Sequence, residues 1–179
     1  MNIQTAPLIP LHAEDPEARP DADPQALKAA LRRLAGGVSV ITTGTGDART
    51  GATVTSATAL SMHPPRMLVS LNRSSSTWPV LEAHGFFGVN IIGPEHQTIA
   101  NQFAGVGGLK GVDRYQGGAW QSLLTGALLL EDAVAAIDCE VEEAIERHSH
   151  VLVIGRVVGV RTGEGVSLAY VDGAYHRLG

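Results

Sequence analysis

Residues 135–158 constrain this chain more than any other stretch. Ala135, Ile137, Cys139 and Val141 alternate with Ala136, Asp138 and Glu140, a period of two that turns one set inward on a β-strand. The run Val151-Leu152-Val153-Ile154-Gly155-Arg156-Val157-Val158 follows as its hairpin partner. Short strands recur elsewhere. Val38–Thr43 is β-branched, Gly44–Asp47 is turn chemistry, and a second strand runs about Gly51 to Ser56. Others are expected over Met67–Leu71, Phe86–Ile92 and Leu168–Val171, with Asp172-Gly173 turning before Tyr175.

Helices are few. Asp23 before Pro24 is a good helix start, with Leu27, Leu31 and Leu34 on one face and Gly36-Gly37 at the end. Thr77-Trp78-Pro79 opens a short helix that stops at Gly85, and Glu95–Phe103 is a third. Residues 104–118 hold six glycines and read as a long, mobile loop. Trp78 and Trp120 read as packing residues, and Cys139 as a small core residue. The whole pattern is mainly β with a few helices and suggests a barrel. Its length of 179 residues suits one domain, expected over residues 23–179. Residues 1–22, dotted with Pro7, Pro10, Pro16 and Pro20, read as a flexible N-terminal arm.

Several function classes are disfavoured at once. A net charge of −5 without a basic stripe argues against a nucleic-acid binder. One cysteine excludes an internal disulfide framework or a cysteine zinc cluster, and fits a reducing cytoplasm. No apolar run approaches the roughly 20 residues a membrane helix needs, and no secretory leader is visible. There is no phosphate-binding G-x-x-x-x-G-K-[ST] loop and no G-x-G-x-x-G opening a helix after a strand. His148 and His150 share a strand face, but a metal there lacks further ligands, so no metal site is expected.

Two segments carry chemistry. Ala52–Ser61 holds five hydroxyls: Thr53, Thr55, Ser56, Thr58 and Ser61. They are either an exposed edge of strand-forming threonines or a hydrogen-bonding wall for a planar polar ligand. Asn72-Arg73-Ser74-Ser75-Ser76-Thr77 runs from a strand into a helix N-terminus, where one arginine, three serines and free amides suit a phosphate. The plainer reading is a cap, which Thr77 alone would supply. A polar wall beside a phosphate site suggests a phosphorylated planar cofactor that performs the hard chemical step itself.

In order along the chain, GGVSVITT (36–43), GATVTSATALSMHPPRMLVSLNRSSSTWPVL (51–81), FGVNII (87–92), IANQFAG (99–105), IDCEVEE (137–143), HSHVLVIGRV (148–157) and YVDGAYHRL (170–178) resemble the flavin reductase-like family, the reductase components of two-component flavin monooxygenases. The resemblance implies an FMN-binding split β-barrel, and a homodimer with the flavin near the subunit interface. It implies reduction of FMN or FAD by NADH or NADPH, with reduced flavin supplied to a separate flavin-dependent monooxygenase. Hydride then passes directly between cofactors, and no catalytic side chain is expected. Thr53, Thr55, Ser56, Ala57, Thr58 and Ser61 map to the segment along the isoalloxazine ring, and Asn72, Arg73, Ser74 and Ser76 to the phosphate turn. Asn90, Phe103 and Ala104 map to further flavin neighbours. On the nicotinamide side, only His150 of His148-Ser149-His150 matches the Gly-Asp-His triplet of many relatives, and Tyr175 and Arg177 lie where relatives close over the pocket. Alternatives within the fold are a flavoprotein reducing a corrinoid or ferric iron, with Glu140–Glu143 as an acidic docking strand, and a non-enzymatic flavin- or haem-binding barrel.

Overall fold

The computed structural model describes residues 19–179, so the arm expected over residues 1–22 lies outside the described residues for all but its last few positions. The elements in order are α1 (Pro24–Leu31), β1 (Gly36–Gly37), β2 (Ser39–Thr43), β3 (Thr50–Val54), β4 (Thr58–Met62), β5 (Pro65–Asn72), α2 (Trp78–His84), β6 (Phe86–Ile91), α3 (Gln97–Phe103), β7 (Trp120–Gln121), β8 (Leu129–Leu130), β9 (Ala135–Arg147), β10 (His150–Thr162), β11 (Leu168–Val171) and β12 (Ala174–Arg177). Among the described residues no helix is long and apolar enough to cross a membrane.

Seven strands form one antiparallel sheet in the order β3-β2-β6-β9-β10-β5-β4. Its two edge strands, β3 and β4, are consecutive in the chain and joined only by residues 55–57. So short a link spans at most roughly 14 Å. The sheet must therefore roll until its edges meet, and the seam between them is the split of the barrel. Ser56 holds that seam, its Oγ donating to Ser70 O on β5 at 2.7 Å.

Rolling buries both faces of the central strands. Ile41, Val69, Leu71, Leu81, Phe87, Val89, Cys139, Val151 and Val153 pack in one cluster. Val40, Ile92, Ala100, Phe103, Leu129, Leu130 and Leu168 pack in a second. Neighbours Val40 and Ile41 thus point to different cores, and all five residues of β2 are buried. Gly51 permits the second core to form, because a Cβ there would lie 2.2 Å from Ile41 O and 2.6 Å from the Phe103 ring.

The simple alternation expected in β9 does not hold. Cys139 is buried, but so are Ala136 and Asp138 on the opposite face. Strands β9 and β10 also run to 13 residues each, with register shifts at Ile154/Gly155 and Val157/Gly159 that bend the ribbon round the barrel. Asp23 caps α1 as expected, accepting from Gln25 N and Ala26 N. The helix ends at Leu31 rather than at Gly36-Gly37, which pair instead with Tyr170 and Ala169. The glycine-rich loop is fastened: Arg114 donates to Gly51 O, and Tyr115 Oη donates to Thr50 O at 2.7 Å.

Burial, and secondarily the Asp138 charge, push the Cys139 thiol up to about 12. Thiolate is the reactive form, so it is scarce at pH 8. Native protein should resist a thiol reagent at pH 8 and react fully in concentrated urea. Rapid labelling of the native state would show that β9 opens locally.

Candidate functional site

Three concavities adjoin one another around the end of β3. A central one of about 290 Å³ is lined by residues 52–56, Ser70, Leu71, Asn72, Ser75 and His150. It shares Asn72 with a second, of about 480 Å³, whose walls are Asn72, Arg73, Ser74, Trp78, His148 and Ser149. It shares Thr53, Val54 and Thr55 with a third, of about 240 Å³, walled by Val38, Ala104, Tyr170 and Tyr175. The cleft so formed has an aromatic end, a hydroxyl-lined middle and a cationic end.

Each wall has a local cause. At the cationic end, β5 leaves the sheet at Asn72, whose Oδ1 accepts from Ser74 N at 2.9 Å and Ser74 Oγ at 2.8 Å. This side-chain turn reverses the chain into α2. Ser75 Oγ accepts from Trp78 N at 3.3 Å, and Thr77 makes no capping bond, so the expected cap at Thr77 moves to Ser75. Because α2 has only seven residues, the positive charge at this turn comes from Arg73 rather than from a helix dipole. The Arg73 guanidinium donates to His148 O at 3.3 Å and pairs with Glu146 at 2.8 Å.

In the middle, Thr53 Oγ1 donates to Ala100 O at 2.6 Å, and Ser56 Oγ donates to Ser70 O. Both hydroxyl protons are committed inside the protein. Toward a ligand these two side chains present lone pairs only, so they accept from ring N–H groups and do not donate. Ser149 Oγ lies 2.9 Å from His150 Nδ1 and holds that side of the ring. At the aromatic end, Tyr170 and Tyr175 meet edge to face, with centroids 5.2 Å apart. Burial first, and Tyr170 second, raise the Tyr175 phenol above its ordinary value, which keeps it a neutral donor.

The cleft therefore gathers Thr53, Thr55, Ser56, Asn72, Arg73, Ser74, Ala104, His150 and Tyr175. Other sequence-derived candidates stand apart. Asn90 is fully buried, donating to Val40 O and accepting from Leu130 N, so its amide ties strands together and offers nothing to a ligand. Phe103 is also buried, its ring 4.9 Å from Tyr115 and 5.6 Å from Trp120. Ala57 packs against the barrel core. Thr58 and Ser61 lie on edge strand β4, where Ser61 Oγ accepts from His63 N in the following turn. Ser76 is exposed and off the cleft wall, and Arg177 bonds Gly179 O.

Tyr170, Ser70 and Ser149 were not foreseen. Tyr170 had a readable signal, since a two-residue Asp172-Gly173 turn pairs 171 with 174 and hence 170 with 175, as observed. Two carboxylates of the acidic run on β9 are ion-paired. Glu140 pairs with Arg156, and Glu142 with Arg66. A separate cleft of about 590 Å³, lined by Glu95, His96, Gln102, Gln116 and Asp132, holds none of the foreseen residues.

A family model described as flavin reductase like domain matches residues 31–179. The FMN reductase (NADH) RutF of Variovorax paradoxus is 33% identical over 164 residues, covering 91% of this chain and 88% of its own. Among solved structures, the flavin reductase PheA2 in its native state superposes with a TM-score of 0.78 at 29% identity, covering 88% of this chain and 99% of that one. BorF, the flavin reductase component of a bacterial two-component tryptophan halogenase, gives a TM-score of 0.79 at 26% identity over 87% and 98% of the two chains.

Proposed function

This chain belongs to the flavin reductase-like family, and on that premise we propose that it is an oxidoreductase whose cleft holds FMN for reduction by NADH. The observation that carries the reading is the cleft's sequence of walls: an aromatic pair, acceptor hydroxyls, then an arginine-bearing turn. That order matches a planar ring whose side chain ends in phosphate. The named relatives, an NADH-dependent FMN reductase among them, favour FMN and NADH over FAD and NADPH.

Bound there, the isoalloxazine would supply the redox chemistry, taking a hydride directly from the nicotinamide. The chain's own residues position and select. Arg73, carried by the Asn72–Ser74 turn, holds the phosphate end. Thr53 and Ser56 accept from ring N–H groups, and the Tyr170–Tyr175 pair and Ala104 close the apolar end. His150 lines the middle of the cleft with Ser149 Oγ 2.9 Å from its Nδ1, and in this reading it would meet the nicotinamide. Such positioning lowers a barrier by several kcal/mol without a protein acid or base.

Residues 23–179 form the reductase unit, with a cytoplasmic place. The reading includes a homodimer, supported by Leu60 and Met62 on edge strand β4, which are 50% and 70% exposed and want a cover. It also includes transfer of reduced flavin to a separate monooxygenase, supported by the halogenase component's similarity.

Purified protein should oxidise NADH faster than NADPH, with a rate that saturates in added FMN. No oxidation above the flavin-only control would defeat the reading. Exhaustive dialysis should strip the flavin, whereas FMN retained after reduction would rule out its transfer to a partner.

A further inference from the structure

Glu146 stands beside the cleft and belongs to none of its three walls, yet it pairs with the arginine at the cationic end, Oε2 lying 2.8 Å from a terminal nitrogen of Arg73. Arg73 is the arginine or lysine among the residues that line the cleft. The other two pairs on this surface, Arg66–Glu142 and Arg156–Glu140, keep their arginines off the cleft wall. We propose that Glu146 competes with the flavin phosphate for Arg73 and thereby sets flavin affinity low enough for exchange.

The inference rests on the reading that this turn receives phosphate. Carboxylate and phosphate both seek guanidinium N–H groups, and one terminal nitrogen of Arg73 already donates to His148 O while the other pairs with Glu146. With Arg73 held by Glu146, the competent arrangement is only fractionally populated, and apparent affinity falls by that fraction. The Arg73 and Glu146 side chains are 45% and 51% exposed, so the pair is weak enough to open yet close enough to compete. Its position follows from register. Glu146 lies opposite Val151 on β10, and Val151 lies opposite Leu71 on β5, which puts the carboxylate across the ribbon from the strand end that carries Arg73. For a chain that must release reduced flavin, a built-in rival anion is a useful device.

The test measures FMN and riboflavin dissociation constants by fluorescence quenching for the wild type, E146Q, R73A and the double variant. Riboflavin carries the same ring and lacks the phosphate. At about 20 mM salt, E146Q should bind FMN roughly two- to tenfold more tightly and riboflavin unchanged, with the gain shrinking at about 0.5 M salt. In the R73A background the same change should have no effect. Unchanged FMN affinity in E146Q, or an equal gain for riboflavin, overturns the proposal. A phosphate preference abolished in R73A and untouched in E146Q defeats the competitor alone. Equal affinities for FMN and riboflavin in both the wild type and R73A defeat the phosphate reading itself, and this inference with it.

Discussion

Asp138→Ala should destabilise the chain by about 3–5 kcal/mol and lower its melting temperature by about 6–20 °C. The carboxylate is fully buried, accepting from Leu124 N at 2.8 Å, Thr125 N at 3.0 Å and the Thr125 hydroxyl. Its two cross-strand neighbours are glycines, Gly88 on β6 and Gly159 on β10. A Cβ at Gly88 would lie 2.6 Å from a Leu129 methyl, and one at Gly159 would lie 3.4 Å from a Leu123 methyl. Gly88 makes room for residues 123–129 to lie on the sheet, and Asp138 fastens them there. Alanine leaves three donors without a partner in the interior. Asp138→Asn keeps one acceptor oxygen but turns an NH2 toward the same donors, so its loss should be intermediate. The check is thermal and urea denaturation of the three proteins. A melting temperature within about 2 °C of wild type for the alanine variant would mean that water replaces the carboxylate without cost.

Asp138 also shows where sequence patterning stops. An aspartate among alternating apolar residues marks an outward position on a sheet with one wet face. Here both faces are covered, because the sheet rolls and α3 and residues 123–129 close over its outside. Nothing local to residue 138 announces a loop from residues 124 and 125. The same limit hid the length of β9: Glu142, Glu143 and Glu146 interrupt the apolar pattern, and the partners of Glu142 and Glu146 are Arg66 on β5 and Arg73 just past its end, two strands away in the sheet. Strand β4 was missed because Thr58–Met62 is an exposed edge with no buried face to impose a period.

What is governed by nearby residues was legible. Leu168–Val171 and its Asp172-Gly173 turn, the stop of α2 at Gly85 and the cap of α1 at Asp23 all depend on neighbours within a few positions. In the cleft the division is the same. The Asn72–Ser75 turn and the Thr53–Ser56 strand end are local and could be named from residue types. Ser149, Ser70 and Glu146 enter through strand register, which a single sequence leaves open. Asn90 and Phe103 sit in segments that match the family pattern, yet the fold turns both side chains into the core beneath the cleft.

Arg73→Ala should weaken FMN binding by about 10- to 100-fold while leaving riboflavin binding unchanged. Hydrogen bonds to a charged group are worth about 1.5–3 kcal/mol, and each 1.4 kcal/mol is tenfold in affinity. The neighbouring serines soften the loss without replacing a cation, since a hydroxyl carries no charge to set against a dianion. Arg73→Lys restores charge but not the two-pronged geometry, so it should recover only part of the affinity. The split between ligands matters more than the size of the loss. An Arg73 that merely braces the turn through His148 O would, when removed, disturb Asn72 and Ser74 and weaken FMN and riboflavin alike. An Arg73 that meets phosphate weakens FMN alone, and its contribution falls as salt rises. Steady-state kinetics give an independent reading. The KM for FMN should rise with kcat nearly unchanged, because the phosphate is held equally before and during hydride transfer. A drop in kcat at saturating FMN would instead place Arg73 where it aligns the ring.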